Sequence, residues 1–447
     1  MNKPGFLKRL FGEAATKPGA VSPVDVRKTR NVIELCRALL SERGEASGAS
    51  LAREALAAYQ GLEGASLEAF FDLLASEFSP DPDLVGRAAD AYRSEPSQAH
   101  LIRLQHVVEA PRQELFRRLN MAPGGTATLV EMRRRLLLGL RTRPQWAGCD
   151  ADLVHLLSSW FNRGFLTLER IDWRTSAMVL EKLIRYEAVH QIQGWTDLRR
   201  RLQADRRCYA FFHPTLPEEP LIFIEVALTR GMSAKVQPLL DPDSPISDSA
   251  RADCAIFYSI TNCQEGLRGI SFGNFLIKQV AEDLGREFPR LKTFATLSPI
   301  PGFRKWLATG ASNLGGGKSG RQLEALLAEA GTSQALEGAA AGRALQEPLL
   351  QLCAYYLLRA KQGEEPLDPV ARFHLSNGAR MERINWLGDT SGAGMLRSAG
   401  LMVNYVYKLA EVERNHEAYA KKRRIAASPR LESLAKDLSL VGAAQPA

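Results

Sequence analysis

The stretch from Cys254 to Trp306 limits the fold of this chain more than any other. Ala255 to Thr261 is short, β-branched and aromatic, the composition of a buried strand. A glycine-bearing turn follows, Gln264-Glu265-Gly266-Leu267-Arg268-Gly269, with Gly273 four residues on. Leu276, Ile277, Val280, Ala281, Leu284 and Phe288 recur at helical spacing, which predicts a helix beginning close to Gly273. Leu291 to Leu297 predicts the next strand. Pro299-Ile300-Pro301 must end it, because proline has no N–H to give to a ladder. Ser298 is thereby left at a strand end, just before a stiff turn.

A glycine turn between strand and helix aims backbone N–H groups outward at the positive end of a helix dipole, which suits a phosphate or pyrophosphate. By itself such a turn more often only starts a helix. Arg268-Gly269-x-x-Phe272-Gly273-x-x-Leu276 resembles the pyrophosphate signature of the GNAT acyltransferases, which hold coenzyme A this way, with Ser271 in place of their usual glycine or alanine. Thr296 to Leu307 (T-L-S-P-I-P-G-F-x-K-W-L), Phe373 to Ala379 (F-H-L-x-N-G-A), Arg383 to Trp386 (R-I-N-W) and Gly400 to Tyr407 (G-L-M-x-N-Y-x-Y) resemble blocks of the malonyl-CoA decarboxylases, in that family's order. The resemblance runs from about Leu153 almost to Tyr407. It implies a helical domain used in oligomerisation, followed by a GNAT-like catalytic domain.

At 447 residues the chain has room for two or three domains and a sizeable core. Its 45% hydrophobic and 24% charged residues are those of an ordinary globular protein, and no apolar run nears the ~20 residues that span a bilayer. A membrane partner is not expected. The net charge of +8 suits a polyphosphate such as coenzyme A as well as nucleic acid, and no base-stacking module surrounds the basic clusters. Nucleic acid is therefore not expected either. Six scattered cysteines without C-x-x-C point to reduced thiols, and seven histidines without ligand spacing point away from a metal. Phe6, Leu7, Leu10 and Phe11 form a small amphipathic piece in a basic N-terminus, but Glu13 and Asp25 weaken a presequence reading. With no S-K-L ending, a cytoplasmic, bacterial protein is the expectation.

The expected class is multidomain, α followed by α/β. Residues 1–25 read as a flexible basic end, 26–165 as an all-α domain of seven or eight helices, 166–425 as the mixed-sheet domain and 426–447 as a tail. Within the third span, Leu166–Ile171, Cys208–Phe212 and Leu221–Leu228 predict strands and 308–367 a helical insertion. Gly315–Gly320 lacks the spacing and the preceding strand of a phosphate loop. Arg372 to Trp386 predicts two strands joined by Asn377-Gly378, the strongest short hairpin signal, with His374 on the first. Leu401 to Lys422 predicts a long helix carrying Tyr405 and Tyr407.

Decarboxylation of malonyl-CoA needs neither metal nor organic cofactor. The thioester carbonyl is the electron sink, and coenzyme A belongs to the substrate. The resemblance implies three catalytic residues. Ser298 would hydrogen-bond the malonyl carboxylate or the enolate oxygen, and His374 would protonate C2 or orient Ser298. Tyr407 would donate to the carboxylate or to His374. From spacing alone these are a turn serine, a packed histidine and a helix aromatic. Gln264, Gly266, Leu267, Arg268, Gly269, Ile270, Ser271, Phe272, Gly273 and Asn274 are the expected coenzyme-A-binding residues. Ser271 stands where some members of the family carry a catalytically implicated glutamate. A homo-oligomer, dimer or tetramer, is expected. Two other functions remain open: an N-acyltransferase using an acyl-CoA donor, and a non-catalytic helical scaffold or nucleic-acid binder.

Overall fold

In the computed structural model the described residues are 23–42, 44–272, 276–309, 325, 327–328, 336–337 and 340–436. Gly273 and Asn274 of the glycine turn, the Gly315–Gly320 run, most of the helix expected at Arg321–Ala330, the Phe6–Phe11 piece and the extreme C-terminus lie outside them. The chain divides into two compact units.

The first unit holds the described residues up to Leu166, with His213–Pro217 and Gln264–Phe272. Its described residues form eight α-helices: α1 (Pro23–Ser41), α2 (Glu45–Gln60), α3 (Gly64–Glu77), α4 (Pro82–Ser94), α5 (Gln98–Val108), α6 (Pro111–Asn120), α7 (Gly125–Gly139) and α8 (Ala147–Trp160). Proline and capping residues start several of them. Asp81 accepts the Asp83 and Leu84 amides ahead of Pro82, and Ser97 accepts that of His100. A line of rings, Tyr59, Phe70, Phe71 and Trp146, fills the centre, with centroids 5.0–5.6 Å apart. Each such buried side chain stabilises the unit by about 1.5–3 kcal/mol.

The second unit carries the sheet. Its elements begin β1 (Thr167–Ile171), α9 (Ala177–Tyr186), α10 (Trp195–Arg201), β2 (Arg206–Phe212), β3 (Ile222–Thr229) and β4 (Cys254–Asn262). They continue α11 (Leu276–Glu287), β5 (Thr293–Thr296), β6 (Ser298–Pro299), α12 (Phe303–Thr309), α13 (Ala340–Leu358), β7 (Lys361–Gln362) and β8 (Glu365–Pro366). Then come α14 (Pro369–Ser376), β9 (Arg380–Asn385), α15 (Gly392–Ser398), β10 (Met402–Val406), α16 (Val412–Lys422) and α17 (Pro429–Lys436). The order across the sheet is β1-β2-β3-β4-β5-β10-β6, with β9 on β10. The pairs are antiparallel except β4 with β5, whose crossover is α11. The α11 face of Ile277, Val280, Ala281 and Leu284 is buried, as its spacing requires.

Two expectations fail here. His374 lies on a helix, α14, not on a hairpin strand. Asp368 caps that helix by accepting the Ala371 amide, and Pro369 occupies its first turn. A type I′ hairpin turn needs positive φ at both central residues. Asn377 has φ −88° and only Gly378 is left-handed, at +81°, so the pair ends a helix instead. A side chain at Gly378 would also meet the Val412 carbonyl oxygen at 2.1 Å.

The span from Leu401 to Lys422 is not one helix. Met402 to Val406 is a fully buried strand, and α16 starts only at Val412. A strand walled on both faces shows no polar alternation, and its apolar run mimics a buried helix. Residues 426–436, expected to open the tail, belong to the unit: the Met381 amide of β9 donates to the Ala426 carbonyl, the Met381 carbonyl accepts the Ser428 amide, and α17 packs on α13.

Candidate active site

The parallel pair β4 and β5 opens into a fork. It is in register from Cys254 opposite Thr293 to Phe257 opposite Thr296, and closes with the Leu297 amide on the Phe257 carbonyl. β4 continues to Asn262, while the other chain turns away into β6 and pairs Ser298 with Val403 of β10. The break between β5 and β6 is held by side chains. Asn404 Nδ2 donates to the Thr296 carbonyl at 2.7 Å, and its Oδ1 accepts from Asn385 at 2.8 Å and from Arg383 at 3.2 Å. The asparagines of the R-I-N-W and N-Y-x-Y blocks thus secure the strand end that carries Ser298.

A cavity of about 250 Å³ lies in this fork. Tyr258, Ile260 and Asn262 line it from β4, Leu297, Ser298 and Pro299 from the other arm, and Val370, Phe373 and His374 from α14. Val189 closes one side. Its place follows from Glu187, whose carboxylate accepts the Val189 and His190 amides and the hydroxyls of Ser259 and Thr261. Among the described residues, no lysine, arginine, aspartate or glutamate lines it.

Ser298, His374 and Tyr407, far apart in the chain, meet here. Ser298 Oγ is 3.0 Å from His374 Nε2, and His374 Nδ1 is 2.8 Å from the Tyr407 hydroxyl. All three are buried, and Ser298 and His374 line the cavity while Tyr407 stands behind the imidazole. The ring of Tyr405 stacks on His374 at 4.4 Å and 28°. Burial pushes the His374 pKa down to about 3 and that of Tyr407 well above its ordinary value. The imidazole is neutral at pH 7, so it can pass a proton only by receiving another.

Two polar groups that sequence reasoning did not single out as site residues complete the surroundings. Thr296 Oγ1 accepts the Ser298 hydroxyl at 2.8 Å and the Tyr405 amide at 3.2 Å. Asp368, fully buried at the start of α14, has a pKa raised by burial to about 6. The i, i+2 spacing of Thr296 and Ser298 in an extended stretch was the available signal for the first. The Asp-Pro start of a helix was the signal for the second.

The expected phosphate turn is a 3-10 turn, Glu265–Leu267, which groups with the helical unit. The Leu267, Arg268 and Ile270 amides are bonded inside the turn. Arg133 of α7, itself buried, donates to the Gly266 and Arg268 carbonyls at 2.7 and 2.8 Å and to Asp150 at 2.9 Å. Gly266 rests so close to α7 that a Cβ would stand 2.0 Å from the Val130 carbonyl oxygen. Gly269 has φ +81°. Gln264, Ser271 and Phe272 complete the described part of the turn.

Comparison with known proteins agrees with this architecture. The family model "Malonyl-CoA decarboxylase C-terminal domain" matches residues 164–443, and "Malonyl-CoA decarboxylase N-terminal domain" matches 78–161. The mitochondrial malonyl-CoA decarboxylase of Anser anser anser is 38% identical over 84% of this chain and 81% of its own length. That of Mus musculus is 40% identical over 74% of this chain and 72% of its own. The crystal structure of malonyl-CoA decarboxylase from Rhodopseudomonas palustris superposes with a TM-score of 0.85 at 49% identity, covering 91% of this chain and 99% of that one. The Agrobacterium vitis enzyme gives 0.84 at 48% identity, with the same coverage. With both family models matched in chain order and these relatives aligned along most of their length, the chain belongs to the malonyl-CoA decarboxylase family.

Proposed function

We propose that this chain is a carboxy-lyase that converts malonyl-CoA to acetyl-CoA and CO₂, with Ser298 and His374 as its catalytic residues. The observation that carries the chemistry is a hydrogen-bonded Ser298–His374 pair facing a cavity whose described lining residues carry no charged side chain. A carboxylate is poorly solvated there, whereas CO₂ is neutral, so the cavity disfavours the ground state more than the transition state. The electrons left at C2 delocalise into the thioester carbonyl. The Ser298 hydroxyl is the donor nearest the reacting end, first for the enolate oxygen and then for C2. Oxyanion donors typically contribute ~3 kcal/mol each. Tyr407 is not among the lining residues and acts through His374.

The turn Gln264 to Asn274 keeps its assignment to the phosphates of coenzyme A within this proposal. Its support is the capture of two of its carbonyls by Arg133: the Leu267 N–H of the first peptide is bonded within the turn, and the Gly269 N–H of the second is turned away from Arg133. No metal or organic cofactor enters the scheme, because the thioester is the electron sink. We also propose a homo-oligomer joined through the helical unit, where Leu84, Ile102 and Val108 of α4 and α5 are exposed. A cytoplasmic location is our proposal as well, and the buried, unpaired state of all six cysteines supports a reducing compartment. No described helix is long and apolar enough to cross a membrane.

Incubation with malonyl-CoA, with and without an amine, tests the reaction. The expected product is acetyl-CoA, detected by mass spectrometry at the same rate in both. An amine-dependent malonyl amide would establish the acyltransferase instead. That outcome is disfavoured, since among the described lining residues there is no carboxylate to take the amine's proton.

A further inference from the structure

Thr296 is fully buried and is not among the residues that line the cavity. Its Oγ1 nevertheless determines how every proton in the site is arranged. It accepts the Ser298 O–H at 2.8 Å and, on its other side, the Tyr405 N–H at 3.2 Å. A hydroxyl has one proton to give. With that proton on Thr296, Ser298 Oγ can meet His374 Nε2 at 3.0 Å only as an acceptor. Nε2 therefore carries the proton of the neutral imidazole, and Nδ1 is left to accept from the Tyr407 hydroxyl at 2.8 Å. Each bond dictates the next.

We propose that Thr296 is a positioning residue that sets the direction of the proton chain, from Tyr407 through His374 to Ser298. The opposite direction, Ser298 donating to Nε2, is that of an activated serine nucleophile, and Thr296 selects against it. In turnover the Ser298 O–H turns from Thr296 toward the substrate by rotation about one Cβ–Oγ bond. Its proton passes to C2 of the enolate, the Nε2 proton passes to Ser298 Oγ, and the Tyr407 proton passes to Nδ1. Charge moves from the enolate to the phenolate oxygen, and a proton from water then restores Tyr407. This last sequence presupposes the decarboxylation proposed above. The resting tautomer does not.

The test uses full-length protein labelled with ¹⁵N-histidine, as wild type, Thr296→Val and Thr296→Ser, with the His374 signals assigned by their loss in His374→Asn. The wild type is expected to show the Nε2–H tautomer. Valine keeps the β-branched shape without the acceptor and is expected to shift His374 toward Nδ1–H. It should also lower kcat about tenfold or more, with KM within about twofold, and serine should restore both. An Nδ1–H tautomer in the wild type, or a Thr296→Val enzyme with wild-type kcat and tautomer, overturns the role of Thr296. If the wild type leaves malonyl-CoA intact, the decarboxylation reading fails, and the tautomers still decide the role of Thr296.

Discussion

His374 Nδ1 lies 2.8 Å from the Tyr407 hydroxyl, on the side of the imidazole opposite the nitrogen that meets Ser298. His374 sits on α14 and Tyr407 just past the end of β10, where its amide is bonded to the Phe294 carbonyl of β5. Tyr407→Phe removes only the hydroxyl from a rigidly held ring. The expected result is a fall in kcat of about ten- to hundredfold with KM little changed, because the lost group acts on a proton and not on binding. Steady-state kinetics on a variant with an unaltered melting curve checks it.

The pH behaviour follows from the buried imidazole. His374 has a folded pKa of about 3 against an ordinary 6.5, so between these values the unfolded chain binds a proton that the folded chain does not. Stability from this residue is therefore present above about pH 6.5 and is lost as pH falls toward 3. Chemical denaturation from pH 7 to 4 should show a shallower loss in His374→Asn than in the wild type. For the same reason kcat should show no histidine-like step near pH 6.5. A step there that disappears in His374→Asn would mean the imidazole is protonated in the working enzyme.

Asp368 has the opposite sign. Its carboxyl is raised by burial to about 6, so the folded chain holds a proton that the unfolded chain has released, and stability falls as pH rises between about 4 and 6. Asp368→Asn can still cap α14 and should abolish that fall. Asp368→Ala loses the bond to the Ala371 amide and should cost about 1–2 kcal/mol. Paired denaturation curves at pH 4 and pH 7 separate the charge from the cap.

The strand-turn-helix-strand unit was legible because its signals are local: β-branched strands, a glycine turn, a 3.6-residue stripe and a proline stop. Ser298 at a strand end followed from them. The element carrying His374 was misread because Asn377-Gly378 suits a hairpin and a helix end equally, and only the Asp368-Pro369 start, nine residues upstream, decides between them. β10 was misread because burial on both faces erases alternation. The meeting of Ser298, His374 and Tyr407 depends on β10 pairing with β6 and β9 at long sequence separation, which no local pattern encodes. Their identification came from family resemblance.

Arg133 offers a test of the phosphate turn. Its guanidinium holds the Gly266 and Arg268 carbonyls, and hydrogen bonds to a charged group are worth about 1.5–3 kcal/mol. Arg133→Met should raise KM for malonyl-CoA and Kd for coenzyme A about tenfold or more while kcat stays within about twofold. Isothermal titration with coenzyme A measures the binding directly, and unchanged affinity would remove the turn from the binding site.

The most direct measurement of the whole account is the rate of CO₂ release from malonyl-CoA by Ser298→Ala and His374→Asn, set beside their affinity for coenzyme A. The expected result is a kcat lowered by ~10²–10⁴ in each, with coenzyme A bound as in the wild type. Near-wild-type turnover in either variant would contradict the assignment of the chemistry to the Ser298–His374 pair.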